Sequence, residues 1–383
     1  MSLEFKVLTL NCWGIPYVSK DRKNRMKAIA CYLKNSEYDV VCLQEVWTDG
    51  DFDLIKNESS NIYPYVHYFY SGVIGSGLCI LSKHVIEEAF FHQWSLNGYI
   101  HKIHHGDWFG GKGVGLCKLT VNNFNVNIYT AHLHAEYNRN SDEYEAHRVL
   151  QAFDTAQFIL LTSRGVDLVV LAGDLNTMPG DLAYKVIKTV PGLMDSYECC
   201  REPIEDSSTC ESPRNSYTQR KSHGQRIDYI LYHPGAKLQV ALKSYDLPLP
   251  DRVPCCPYSY SDHEAVEATL EIGEAPIKHA AQKENETETV LRDSLAVLNK
   301  ALNDLASSRI CYGFVFVVLS CVLVVSFAFG VPPGYSVIYD FARVLLTIFA
   351  AFFLLMATIW VKIERHGLLA GKLAMEISLK KLS

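Results

Sequence analysis

The sequence predicts an α/β fold of two packed sheets flanked by helices over residues 1–275, with a two-helix transmembrane hairpin behind it. Three observations carry this reading. Short apolar runs alternate with helical segments through the first 275 residues, a mixed order that suits two sheets packed face to face. Polar groups recur where those runs end. The apolar excess, 49% of all residues, is concentrated in two charge-free stretches near the C-terminal end.

The elements follow in order. Phe5 to Cys12 reads as a strand, with Leu8 and Leu10 opposing Phe5 and Val7. Asp21 to Lys34 reads as a helix, and Asp39 to Gln44 as an apolar strand ending at the Glu45 carboxylate. Further strands are expected at Leu78–Leu81, Leu116–Val121, Asn125–Ala131, Asp167–Ala172, Arg226–Leu231 and Glu264–Leu270, with a long helix at Arg139–Thr162. Residues 199–225 and 247–261, richer in Pro, Ser and Arg, read as loops. Residues 276–309 form a Glu-rich linker and an amphipathic helix. In it Leu291, Leu295, Leu298, Leu302 and Leu305 make a short leucine seam, a surface for homodimerisation or the apolar face of a helix lying against the membrane or the N-terminal domain.

The hairpin follows. Residues 310–331 carry no charge over 22 positions, about 33 Å of helix and enough to cross a bilayer. Pro332, Pro333 and Gly334 break the helix, residues 332–343 form a short loop, and residues 344–361 give a second span of about 27 Å. Residues 362–383 hold five Lys/Arg against two Glu, and by the positive-inside rule this basic tail is expected in the cytosol. A hairpin returns the chain to the side it left, so the N-terminal domain is expected there too. Charges near the start, where a signal segment would be apolar, agree. The short second span suits the thin endoplasmic reticulum bilayer.

Charge and thiols narrow the function. Residues 1–275 carry a net −9 and residues 276–383 a net +3. The −9 is the wrong sign for a surface that neutralises nucleic-acid phosphates, so a nucleic acid is not the expected partner. The 12 cysteines lie at irregular spacings without a Cys-x-x-Cys, so reduced thiols are expected rather than a disulfide framework or zinc site.

Four segments place chemistry at strand ends: Asn11 in Leu10-Asn11-Cys12-Trp13, Glu45 in Gln44-Glu45, Asp174 and Asn176 in Gly173-Asp174-Leu175-Asn176, and Asp262 and His263 in Ser261-Asp262-His263. Together they supply hard oxygen ligands, amides and a histidine with no thiolate cluster. That donor set suits magnesium, with manganese as a substitute, and not zinc.

These motifs, with Thr130-Ala131-His132 between them, resemble in identity and order the exonuclease/endonuclease/phosphatase superfamily. The resemblance implies a DNase-I-like four-layer α/β/β/α sandwich. Ser71-Gly72-Val73-Ile74-Gly75-Ser76-Gly77-Leu78, His104-His105-Gly106-Asp107-Trp108-Phe109 and Thr130-Ala131-His132-Leu133-His134-Ala135-Glu136 look like neutral sphingomyelinases, and the hairpin matches their membrane-embedded animal members. The resemblance implies Mg²⁺-dependent, phospholipase-C-type hydrolysis of bilayer sphingomyelin to ceramide and phosphocholine. A lysophospholipase C shares this chemistry. A nuclease, an inositol-phosphate phosphatase and an inactive membrane scaffold fit less well.

The resemblance also implies roles. Glu45 ligates the metal with Asn11 beside it, and Asp262 joins them or orients its neighbour. His263 is the general base oriented by Asp228, with Asp174 the alternative base. Asp174 and Asn176 hold the attacking water and the pentacovalent phosphorus. His132 hydrogen-bonds a phosphoryl oxygen. Asp107 and Lys112 resemble a pair that controls site access, or Lys112 contacts the substrate phosphate; an exposed salt bridge is the plainer alternative. Trp108 and Tyr137 are candidates for a choline cage.

Overall fold

Side chains alternate along the first strand, and that alternation serves two cores at once. In β1 (Leu3–Asn11), Phe5 and Val7 enter one buried cluster while Leu8 and Leu10 enter another. The computed structural model of the chain describes residues 3–202, 204–219, 223–236, 238–274 and 284–382. After β1 come α1 (Arg22–Lys34), β2 (Val40–Gln44), α2 (Asp49–Ser59), β3 (Tyr65–Tyr68), β4 (Cys79–Ser82) and β5 (Ile86–Gln93). Then follow α3 (Asp107–Gly110), β6 (Gly113–Val121), β7 (Phe124–His132), α4 (Glu145–Thr162), β8 (Leu168–Asp174), α5 (Leu182–Thr189), β9 (Met194–Asp195), β10 (Asp228–Pro234), β11 (Leu238–Asp246) and β12 (Val266–Glu274).

One sheet runs β11-β12-β1-β2-β4-β3 and the other β5-β6-β7-β8-β10-β9. Among the described strand pairs only β1–β2 and β7–β8 are parallel. The sheets bury Val7, Val40, Cys42 and Ile80 against Cys117, Ile128, Val170 and Ile230. The outer face of the first sheet is covered by Met26, Ile29 and Leu33 of α1 and Ile55 of α2. On the far face of the second, Thr162 of α4 meets Tyr129 of β7 and Tyr184 of α5 packs on Tyr229 of β10. The result is the four-layer α/β/β/α order. All 12 cysteines are free, and Cys12, Cys42, Cys79 and Cys117 are buried.

Some expected boundaries move. The helix expected at Arg139–Thr162 starts at Glu145, because the Asp142 carboxylate accepts the Tyr144 N–H at 3.0 Å and holds a turn there. The sequence reading passed over α2, whose polar start hides a cap: Thr48 Oγ1 accepts the Asp51 N–H at 3.1 Å. It also passed over β3, β5 and β11, which lie at or beside sheet edges where one face stays in water and the apolar signal is weak.

The chain divides into two compact units, Met1–Val290 and Leu291–Ser383. Residues 276–283, where the expected linker begins, lie outside the described residues. A continuous helix α6 (Glu284–Ser326) ends five residues before the charge-free run does, and α7 (Ser336–Leu355) begins within the expected loop. Arg343 caps α6 at this end: its guanidinium donates to the Ser326 carbonyl at 2.7 Å and lies over the Phe327 ring. A single π turn (Met356–Trp360) leads into α8 (Val361–Lys380). The two stretches are long and apolar enough to cross a membrane. Leu291, Leu298 and Leu305 of the seam are buried, and Leu295 and Leu302 partly so.

Ile230 is fully buried between the sheets. Ile230→Ala should destabilise the first unit by about 3 kcal/mol, read as a lower urea midpoint at unchanged slope.

Candidate active site

Both parallel strand pairs end at the same place. Asn11 pairs with Gln44 at the end of β1–β2, His132 pairs with Asp174 at the end of β7–β8, and Asp228 opens β10 opposite Asp174. Carboxyl ends of parallel strands are where α/β sheets leave room for a site. Here the two sheets bring their ends together, and Asn11 joins them. Its amide donates to Asp174 Oδ2 at 2.9 Å and to Glu45 Oε1 at 3.3 Å.

Backbone strain aims these groups. Trp13, Glu45 and Asn176 all have positive φ, at 46°, 57° and 44°. The turn at Glu45 needs a neighbour without a side chain: a Cβ on Gly14 would lie 2.2 Å from the Glu45 carbonyl oxygen. The turn at Asn176 is held by Asp174, whose Oδ1 accepts the Asn176 N–H at 2.9 Å. The Asn176 amide donates to the Leu133 carbonyl at 3.0 Å.

A second arm arrives from the loop before β12. His263 Nδ1 donates to Asp228 Oδ2 at 2.9 Å, and Ser261 Oγ donates to the Asn11 carbonyl at 2.6 Å. Burial disfavours a charged His263 ring, but the Cys210 thiol and the Asp228 carboxylate outweigh it and raise its pKa well above the usual value. Sequence reasoning missed the residue that fixes this arm. Arg25, fully buried on α1, donates to the carbonyls of Cys12 at 2.8 Å, Trp13 at 2.6 Å and Tyr260 at 3.2 Å. It ties the Asn11 turn to the Ser261–His263 turn. Set among other basic residues on a helix, it carries no local signal of that role.

The site fits a divalent cation. Asp174, Asp228 and His263 offer ligand atoms all within 4.8 Å of one another. Asp228 Oδ1 is buried without a hydrogen-bond partner. The Glu45 carboxyl is pushed up to about 7 by burial and by the nearby Asp262 charge, as expected of a carboxylate short of positive charge. The Asn11 amide joins Glu45 to Asp174 of this trio.

Lys112 supplies positive charge on the other flank. Lys112 Nζ lies 2.6 Å from Asp107 Oδ1, with the two side chains only 4% and 6% exposed. The exposed salt bridge considered from sequence is therefore a buried pair. Burial works against the Asp107 charge, yet Lys112 and His134 hold its carboxyl below the usual range. Lys112 also donates to the Leu133 carbonyl at 3.2 Å and lies 3.3 Å from His132 Nε2. Burial and that ammonium push His132 down to about 3, so the ring is neutral. The same ring lies 3.5 Å from Asp174 and 4.0 Å from Glu45. Tyr137 donates to Asp107 Oδ2 at 2.7 Å and stacks on His105 at 3.9 Å, while Trp108 meets Phe109 edge-on at 5.1 Å. His134, nearly fully buried, stacks on Tyr144 at 3.8 Å and plays a packing role.

Removing one member of a buried pair strands the other charge. Lys112→Met should destabilise the first unit by about 3 kcal/mol, and adding Asp107→Asn should restore most of that loss. Denaturant unfolding of the two single variants and the double variant checks it.

Comparison with known proteins agrees with this geometry. Residues 8–263 match the model of the endonuclease/exonuclease/phosphatase family. A Drosophila melanogaster protein, provisionally named neutral sphingomyelinase, is 38% identical over 434 residues, covering 98% of this chain and 97% of that one. Sphingomyelin phosphodiesterase 2 of Mus musculus is 44% identical over 284 residues, covering 72% of this chain and 67% of that one. A beta toxin mutant from Staphylococcus aureus, crystallised with bound magnesium ions, shares the fold with a TM-score of 0.53 at 20% identity, over 70% of this chain and 99% of that one. The chain belongs to the endonuclease/exonuclease/phosphatase family, on the branch that holds its neutral sphingomyelinase relatives.

Proposed function

We propose that this chain is a divalent-cation-dependent phosphodiesterase of phospholipase C type that hydrolyses sphingomyelin to ceramide and phosphocholine. One observation carries the reading: the Asn11 amide joins Glu45 to Asp174 beside the Asp228–His263 pair. Relatives named for sphingomyelin hydrolysis, one of them aligned over nearly the whole chain, support the substrate.

Glu45, Asn11 and Asp262 would hold Mg²⁺, or Mn²⁺ in its place, where it would polarise the phosphodiester and stabilise the alkoxide leaving from ceramide. The other steps fall to the chain's own groups. Asp174 and Asn176 orient a water in line with phosphorus. The water oxygen bonds to phosphorus, the bond from phosphorus to the ceramide oxygen breaks, the water proton goes to His263, whose raised pKa a cation held beside it would bring down so that the ring can accept, and the ceramide alkoxide then takes a proton from the imidazolium or from solvent. Asp228 keeps the proton on Nδ1 and steadies the imidazolium that forms. Asp174 suits the base role less well, since it already accepts from Asn11 and Asn176. Lys112, set against the neutral His132, faces the growing charge on the phosphoryl oxygens.

Purified protein in detergent micelles should release phosphocholine from sphingomyelin with Mg²⁺ present, and EDTA should abolish this. His263→Ala and Glu45→Ala should each lower kcat by roughly 10²-fold or more while far-UV circular dichroism is unchanged. Faster cleavage of lysophosphocholine lipids than of sphingomyelin, compared as kcat/KM, would overturn the substrate assignment.

The same reading places the enzyme in a membrane. Phe314, Val324 and Phe341 are among many apolar side chains that α6 and α7 turn outward, which suits lipid better than water. We place both spans in the endoplasmic reticulum with the site and the basic tail cytosolic. Protease added to sealed microsomes should digest residues 1–275; their protection would contradict that orientation.

A further inference from the structure

Three loops beside the candidate site turn apolar side chains outward. Tyr17 is fully exposed, and Val18, Val73, Ile74 and Ile103 are between 48% and 79% exposed. These residues lie after β1, between β3 and β4, and before β6. The loops share one edge of the fold. Gly14 abuts the Glu45 carbonyl, and a Cβ on Gly77 would sit 3.3 Å from Glu45 Cα. The Val73 N–H donates to the Phe109 carbonyl at 2.8 Å, which ties the second loop to the third. The third ends at Lys112, which reaches His132. All three therefore lie within a few residues of the site.

Two details point to what covers them. Tyr17 sits at a φ of 65°, a costly conformation for a tyrosine, and it holds the ring in water. Lys20 and Lys23 are exposed on the same loop and at the start of α1, while the nearby Asp21 accepts a hydrogen bond from Tyr217. Aliphatic side chains, a phenol and flanking ammonium groups are the chemistry that a phospholipid surface receives at its acyl boundary, headgroup level and phosphates.

We propose that these three loops seat the site on a phospholipid bilayer, as a contact distinct from α6 and α7. The inference rests on the lipid phosphodiesterase reading and adds where the lipid surface is met. An aliphatic tip contributes only while the substrate sits in a bilayer. The loops should therefore matter for membrane substrate and not for a dissolved one.

The test uses the full chain reconstituted in phosphatidylcholine vesicles, with the double variants Val73→Ser/Ile74→Ser and Tyr17→Ser/Val18→Ser. Each should lose about tenfold or more in turnover of long-chain sphingomyelin in the vesicles, a difference of about 1.4 kcal/mol. Each should stay within about twofold of the parent on a short-chain analogue kept below its micelle concentration. Unchanged vesicle turnover, as for a protein-docking surface, overturns the proposal, and so does an equal loss on both substrates. A second measurement is independent of catalysis. Val73→Trp should add fluorescence that phosphatidylcholine brominated near the headgroup quenches, and no added quenching overturns the contact. A parent enzyme that cleaves neither lipid would instead sink the phosphodiesterase reading, while the quenching result still decides the contact.

Discussion

Like charges gathered in one place are the constraint on which this site depends. Glu45, Asp174 and Asp228 come from different strands and converge at one end of the sandwich. Packed sheets alone would not hold them there, because mutual repulsion and burial both oppose it. The Asn11 amide relieves part of this by donating to two of the carboxylates at once. The His263 ring relieves another part at Asp228. What remains is negative, and Glu45 shows it in a carboxyl raised to about 7. An arrangement so short of positive charge has the electrostatic form of a cation site.

The surrounding strain follows from that convergence. Three residues with positive φ, Trp13, Glu45 and Asn176, turn the chain sharply just where a strand has delivered a polar group. Such turns persist only when neighbours over-determine them. Gly14 leaves room beside Glu45, Asp174 holds the backbone of Asn176, and Arg25 clamps the Trp13 turn to the turn carrying His263. Arg25 is thus a positioning residue in the geometry, buried and satisfied by backbone carbonyls. On the opposite flank, the buried Asp107–Lys112 pair spends one end on its own partner and presents the other to His132.

A lipid substrate gives one rationale for features that are otherwise unrelated. The apolar helices and the exposed loop tips beside the site each make sense for an enzyme that works at a bilayer surface. On the proposed reading the helices would keep the enzyme at the membrane, and the loops would orient the site against it. Neither would help an enzyme acting on a dissolved substrate.

Much of this was legible in the sequence. Alternation in Phe5–Cys12 foretold the two-sided β1 because strand periodicity is local. The runs without charge foretold helices of spanning length because helix rise is fixed per residue. The motif order marked Asn11, Glu45, Asp174, Asn176 and His263, and the fold brings these to one end. The edge strands and α2 were not legible, since half-exposed segments carry mixed patterns. Nor was Arg25, whose partners are backbone carbonyls from two loops more than two hundred residues apart. The sequence by itself determined which groups carry chemistry and which segments are apolar, because both are properties of residue type and spacing. Only the tertiary structure decided which carboxylates stand next to one another, that Asp107–Lys112 is buried, and that three loop tips share one rim. Those are distances between remote parts of the chain, and they exist only once the two sheets have packed.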